Sequence, residues 1–265
     1  MYQFKKNSIL MELSGPVAII SINREDRRNA LNPDVLEGIL EAVSQITNEK
    51  DIRVLVLTGK GSKAFCAGAD LKDSNDVFST ERDDTTTDFG RLARVFKSLG
   101  IPSIARVNGD CVAGGMALMS LCDLAIATEK ARFGLPEAKV GVFPMQVLVY
   151  LRNHIYPRHI NELILTGELI DSHKAQAIGL LNKVVKDEDL DHAINSMINK
   201  ILGLSPVAIK KGKAAMITME SMGFAEALSY AESQIALISK SIDAREGISA
   251  FNEKRSPKWV NRIAE

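Results

Sequence analysis

Two glycine-rich stretches stand out as places where chemistry could be done without reactive side chains. In CVAGGMALMSLC (111–122) no residue carries a carboxylate, imidazole, amine or guanidinium group, and two glycines open an apolar, helix-like run. The other stretch is FCAGADLK (65–72), which also follows a strand-like segment and can open a helix. The first N–H groups of a helix have no partner inside it, and the helix dipole places positive charge among them. Glycine there lets a ligand approach the backbone closely. Two such turns facing each other would aim two N–H donors at one oxygen on which negative charge develops, an arrangement called an oxyanion hole. Each turn taken alone is equally an ordinary tight connection, because neither matches GxxxxGK[ST] or a complete GxGxxG phosphate-binding pattern.

The elements around these turns alternate. PVAIISI (16–22), RVLVLTG (53–59), SIARVNG (103–109) and DLAIAT (123–128) read as short apolar strands. Between the first two, Val35, Leu36, Ile39, Leu40, Val43 and Ile46 mark one face of a helix, with Asn32 as its N-cap and Pro33 in its first turn. Strands separated by helices predict an α/β protein with a largely parallel sheet. Ser74 to Gly90 is polar, acidic and threonine-rich, and reads as a surface segment able to serve as a lid. Beyond about Pro157 strand signals almost vanish, and helical patterns follow one another up to a long one at 224–251. The loop chemistry of LGLSPVA sets a soft boundary near residue 200, giving a unit at 1–200 and a helical region at 201–265.

Composition narrows the partners. In 265 residues, 33 basic side chains balance 33 acidic ones, so no bulk field attracts nucleic acid or an anionic membrane, and neither is expected as a partner. Any bound anion must be gripped locally. The three cysteines, Cys66, Cys111 and Cys122, lie in apolar surroundings and read as reduced thiols. His154, His159, His173 and His192 show no ligand-like pairing, and no metal site is expected. With no signal-like or membrane-spanning run, the expected location is the cytoplasm.

FCAGADLK, then NGDCVAGGMALMSLCDLAIATEKARFGLPEAKVG, with REDRRNALN near the start and FNEKRSP near the end, resembles the crotonase superfamily, the enoyl-CoA hydratase and isomerase family, in order and spacing over essentially the whole chain. The resemblance implies a spiral of ββα turns with a helical C-terminal oligomerisation region, assembled as a homotrimer or homohexamer. It implies an acyl-coenzyme A thioester as substrate, with coenzyme A entering only as part of that substrate and no permanently bound cofactor. Carried over residue by residue, the hole donors are the N–H groups of Ala69 and Gly114. They would stabilise the enolate that forms when a thioester loses an α-proton. The resemblance also lays Arg24, Arg28, Ala30, Ala67, Gly68, Ala69, Asp70, Leu71, Gly115 and Lys254 along the coenzyme A. Arg and Lys are ordinary phosphate partners, although each charge is equally a solvated surface residue.

The pattern departs from the family's hydratases at one position. Those carry two glutamates, and alignment on Cys122-Asp123 puts the first at Ala117, which cannot move a proton. The second is Glu137, in GLPEAKVG. One glutamate suits the transfer of a proton from C2 to C4 of a 3-enoyl thioester, as in the family's isomerases, and Phe133, Leu135 and Phe143 are the apolar neighbours expected to raise its pKa. A glutamate after proline is also a common first-turn acid. Two other readings are a hydratase or lyase acting on an unusual acyl group, with Glu137 alone or Asp83 or Asp84 activating water, and a non-catalytic acyl-CoA-binding homologue. GVFPMQVLVY replaces the family's proline-glycine turn with Met145, Gln146 and Val147, an expected change at the acyl end of the pocket.

Overall fold

The computed structural model describes residues 2–4, 7–49, 51–72 and 87–261. The proposed lid lies mostly outside these residues, as do Asp83 and Asp84. Only the end of that segment is described, and it is helical from Asp88 rather than loop, because Thr87 Oγ1 accepts the Gly90 N–H as an N-cap.

A hairpin-like start, β1 (Tyr2–Phe4), β2 (Ile9–Ser14) and β3 (Val17–Ile22), precedes helix α1 (Pro33–Asn48). Asn32 caps this helix through its side-chain oxygen, which accepts from the Val35 N–H at 3.0 Å. Three similar units follow. β4 (Val54–Gly59) and β5 (Ala64–Cys66) lead to α2 (Asp88–Ser98), β6 (Ser103–Val107) and β7 (Asp110–Val112) to α3 (Gly114–Ser120), and β8 (Leu124–Thr128) and β9 (Arg132–Gly134) to α4 (Met145–Leu151). In each unit the first strand joins a large sheet and the second joins a small one. The large sheet runs β1-β2-β3-β4-β6-β8-β11, with β11 at Lys183–Val185, and the small one β10-β9-β7-β5, with β10 at Ile170–Asp171, so each ββα turn advances one strand in both sheets. This is the expected spiral.

β4 shows why the large sheet reads as apolar throughout. Leu55 and Leu57 face the main core with α1 and α2, while Val54 and Val56 face a second core against α7 (Leu190–Leu202), where Leu190, Ala193, Ile194, Ile198 and Ile201 are buried. A parallel sheet covered on both faces leaves no polar side to the pattern.

The later half departs from an all-helical reading. α5 (Pro157–Thr166) is followed by β10 (Ile170–Asp171), α6 (Ser172–Ala177) and β11 (Lys183–Val185), and β11 extends the large sheet beside β8. Both strands are too short for a period of two to be read. After α7 the chain is helical: α8 (Pro206–Met219), α9 (Phe224–Ile238) and α10 (Ile242–Asn252). The long helical pattern is therefore two helices, because Ser241 Oγ accepts the Ala244 N–H and starts a new one. Buried Arg53 ties this arm to the sheet, donating to the carbonyls of Leu202 at 3.0 Å and Leu204 at 2.7 Å. No helix among the described residues is long and apolar enough to cross a membrane.

Candidate active site

The 65–72 turn does not open a helix within the described residues. Ala69 instead forms an isolated parallel bridge with Leu31. The Leu31 N–H donates to the Gly68 carbonyl at 2.7 Å, and the Leu31 carbonyl accepts from the Asp70 N–H at 2.8 Å. In a parallel bridge the residue between two such bonds turns its own N–H and C=O the other way. The Ala69 N–H therefore points away from Leu31, and it has no acceptor among the described residues.

The side it faces is the start of α3. Ala113 is the N-cap there, with φ 53° and ψ −124°, and its carbonyl accepts the Met116 N–H at 2.9 Å. Gly114 is the first helical residue, so its N–H has no intrahelical acceptor, and none exists elsewhere among the described residues. The two donors are neighbours: a Cβ built on Gly114 would lie 3.9 Å from the Ala69 nitrogen, and one on Gly68 would lie 3.4 Å from the Gly114 nitrogen. Both residues are half-buried, as donors facing a cleft must be.

The glycines divide the work between them. Gly68 has φ +91°, and a Cβ there would meet that of Ala113 at 2.7 Å, so only glycine allows the two segments to touch. Gly115, expected along the coenzyme A, packs against β5, where a Cβ would lie 2.2 Å from the Cys66 carbonyl oxygen. Ala113 is the functional residue that sequence reasoning missed. An alanine gives no signal that its backbone is left-handed, and such strain, about 1–3 kcal/mol, tends to gather at working sites.

β9 leads the chain past this place toward Glu137. The Ala113 N–H donates to the Gly134 carbonyl at 2.9 Å, so the chain passes beside the hole three residues before Glu137, a reach of at most about 10 Å. Glu137 begins a short 3-10 turn, Glu137–Val140, closed by left-handed Gly141. Its side chain is half-buried, its Oε2 is fully buried, and that oxygen has no hydrogen-bond partner among the described residues. Burial accordingly pushes its carboxyl above the ordinary value, against a smaller opposing effect of a backbone N–H. Of the expected apolar neighbours, Phe133 and Leu135 are wholly buried and Phe143 is 45% exposed. Ala117 is wholly buried on α3 within the main core.

The residues expected along the coenzyme A separate into groups. Ala67, Gly68, Ala69, Asp70 and Ala30 come together through the Leu31 bridge and the Ala67 N–H to Arg28 carbonyl bond, 3.1 Å. Leu71 is 58% exposed beside them, and the Arg28 side chain is exposed. Arg24 is turned inward, with Nη1 donating to the Ala30 carbonyl at 2.8 Å and Nη2 to Asp70 Oδ2 at 2.8 Å. Lys254 lies exposed at the end of the C-terminal arm, and no hydrogen bond or ion pair among the described residues joins it to the site. Asp123 pins its turn by accepting from the Ser103 N–H at 2.7 Å and Lys213 Nζ at 2.5 Å. The substituted turn after Glu137 becomes α4, where Gln146 Nε2 donates to Thr87 Oγ1 at 2.6 Å and links the starts of α4 and α2. The cysteines are buried and form no disulfide, and burial raises the Cys66 thiol to about 12, so it is inert as a nucleophile.

Known proteins resemble this chain in sequence and fold. Residues 12–262 match the family model for enoyl-CoA hydratase/isomerase. The chain is 33% identical to a short-chain-enoyl-CoA hydratase of Clostridium acetobutylicum over 94% of its own length and 96% of that protein's. It is 32% identical to a crotonyl-CoA hydratase of Syntrophomonas wolfei, covering 96% of this chain and 98% of the relative. The crystal structure of an enoyl-CoA hydratase from Mycobacterium smegmatis superposes with a TM-score of 0.88 at 33% identity, covering 95% and 98% of the two chains. With the spiral fold, the two converging N–H donors and the family match over nearly its whole length, the chain belongs to the enoyl-CoA hydratase/isomerase family of the crotonase superfamily and is an enzyme of that family acting on acyl-CoA thioesters.

Proposed function

We propose that this enzyme moves the double bond of a 3-enoyl-CoA into conjugation with the thioester, using one glutamate and a two-donor oxyanion hole. The carrying observation is the asymmetry of the acids: Glu137 is half-buried with an unpartnered oxygen and a raised pKa, while Ala117 offers only a methyl group. Ionised Glu137 takes a proton from C2. The electron pair shifts into the C1–C2 bond and onto the thioester oxygen, where the Ala69 and Gly114 N–H groups stabilise the dienolate. Glu137 then returns the proton to C4, and the new double bond lies between C2 and C3. Hydration in this family uses one carboxylate to activate water and another to deliver the proton, and no carboxylate stands at 117 to share the task.

Coenzyme A enters as part of the substrate, with no permanently bound cofactor, and the surface expected to meet its phosphates includes Arg28 and, from the arm, Lys254. The arm is the part of the chain expected to build a homotrimer or homohexamer. Phe224, Ile235 and Phe251 are 85%, 64% and 84% exposed in the single chain, which supports their burial against further copies. Light scattering of the purified protein checks this.

A hydratase acting on an unusual acyl group is the second reading, favoured by relatives whose names are hydratases, among them a (E)-benzylidenesuccinyl-CoA hydratase of Thauera aromatica at 31% identity. Absorbance of the conjugated thioester separates the two. A rise with 3-enoyl-CoA that is lost in Glu137→Gln supports isomerisation. A fall with trans-2-enoyl-CoA and no response to 3-enoyl-CoA would replace it with hydration.

A further inference from the structure

The Arg24 guanidinium is held in place by groups from both strands of the bridge that presents Ala69. One nitrogen donates to the carbonyl of Ala30, the residue before Leu31, and another donates to the carboxylate of Asp70, the residue after Ala69. Asp70 is 7% exposed, and the Arg24 side chain is 16% exposed. The Asp70 Oδ1 accepts from the Lys72 N–H at 3.2 Å, which fixes the far side of the same turn. The near side is fixed by Asn29, whose Oδ1 accepts the Arg24 N–H at 3.1 Å and whose Nδ2 donates to the carbonyls of Lys60 and Ala64.

We propose that Arg24 and Asp70 are positioning residues, an ion-pair clamp that fixes the register of the Leu31–Ala69 bridge and thereby the aim of the Ala69 N–H. This departs from the expectation that Arg24 meets coenzyme A phosphate, since a guanidinium turned onto Ala30 and Asp70 presents its donors to the protein. The geometry explains why a charged pair is used. An isolated one-residue bridge has two hydrogen bonds, here with only the Ala67 N–H to Arg28 carbonyl bond beside them and no regular ladder, so a small slide or rotation would swing the Ala69 N–H off the target oxygen. A partly buried, charge-assisted clamp placed across the bridge resists that motion more strongly than a neutral contact would. Burial by itself would raise the Asp70 carboxyl, but the hydrogen bonds from Arg24 and Lys72 and the charges of Arg24 and Arg27 hold it below its ordinary value, so the pair stays ionised at neutral pH.

The proposal rests on the reading that Ala69 and Gly114 bind the thioester oxygen, and its test needs no turnover. A saturated acyl-CoA labelled with carbon-13 at the thioester carbonyl reports polarisation by the hole as a downfield shift on binding. An S-alkyl-CoA thioether, which lacks the carbonyl, reports contacts to coenzyme A alone. In wild type the carbonyl shifts downfield. In Arg24→Gln more than about half of that shift is lost while the Kd of the thioether stays within about threefold, and Arg24→Gln combined with Asp70→Asn is no worse than either single change, as expected for two residues acting as a unit. If Arg24→Gln does not fold, the isosteric Asp70→Asn carries the same comparison. A carbonyl shift retained in both variants overturns the proposal, and a retained shift with thioether binding weakened about tenfold or more returns Arg24 to the phosphate. Absence of any shift in wild type refutes the hole itself, and the clamp with it.

Discussion

A Cβ on Gly115 would lie 2.2 Å from the Cys66 carbonyl oxygen, whereas one on Gly141, which closes the turn begun by Glu137, would meet nothing within 4 Å. The same contrast runs through the two halves of the site. On the hole side, Ala69, Gly114 and their neighbours are interlocked by the Leu31 bridge, the close contact at Gly68 and the Ala113 to Gly134 hydrogen bond. On the acid side, Glu137 stands on a four-residue turn whose last residue, Val140, and the following Val142 and Phe143 are 57%, 38% and 45% exposed. An oxyanion hole works by being preorganised, so rigidity there is part of the chemistry. A proton carrier must meet C2 and then C4, and a lightly braced turn allows that.

The contrast predicts different kinds of damage. Gly115→Ala forces the start of α3 away from β5, and because the obstacle is backbone the loss of stability is about 3 kcal/mol or more, read as loss of soluble folded protein or a large drop in the denaturation midpoint. Glu137→Gln leaves the fold intact and lowers kcat on 3-enoyl-CoA by about 10²–10⁴-fold.

Glu137 also carries a pH signature of the acid half. Its pKa is raised in the folded protein, so the folded state holds more protons than the unfolded state between the ordinary carboxylate value and the raised one. That group's contribution to stability therefore falls as pH rises through this interval. Glu137→Gln removes the penalty, and its Tm relative to wild type is higher at pH 7 than at pH 4. In wild type the acid limb of kcat/KM lies above the ordinary carboxylate range, because the ionised form takes the proton. A limb in the ordinary range, lost only with some other residue, would assign the base elsewhere.

Ala117→Glu tests whether the hole side tolerates a second acid. The new carboxyl enters a wholly buried position, costing about 1–3 kcal/mol of stability, and the expected outcome is measurable hydration of trans-2-enoyl-CoA by the variant and none by the wild type. The smallest effect belongs to Gly141→Ala, where φ of +80° with open space around it costs about 1 kcal/mol of backbone strain and no clash. Thermal melts of both variants check these values.

The parts of the molecule that could be read from sequence are those where burial repeats along the chain. β3, β4, β6 and β8 are largely buried and mostly aliphatic, and α1 shows seven buried positions at helical spacing under a capping Asn32. β5, β7 and β9 are three residues each, too short for periodicity, so the second sheet that carries the site left no signal of its own. The site was read from ordered motifs, yet its means of construction were not. Ala69 gets its aim from a bridge to Leu31, Ala113 is left-handed without being glycine, and Arg24 turns inward, all outcomes of long-range pairing. The arm shows the opposite case. Its helical spacing was plain, but the break at Ser241 and the exposure of α9, with no buried residue in its length, come from what the helices pack against.

The most direct measurement is the structure of the product formed from 3-enoyl-CoA in heavy water, read by NMR. A single-glutamate isomerase yields a trans-2-enoyl-CoA with no added oxygen, in which C4 receives the protium that Glu137 took from C2 wherever the carboxyl has not exchanged with solvent, and Glu137→Gln slows its formation by about 10²–10⁴-fold. No product from 3-enoyl-CoA, together with a 3-hydroxyacyl product carrying deuterium at C2 from trans-2-enoyl-CoA in the same solvent, would contradict the account and place water activation at the centre of this site.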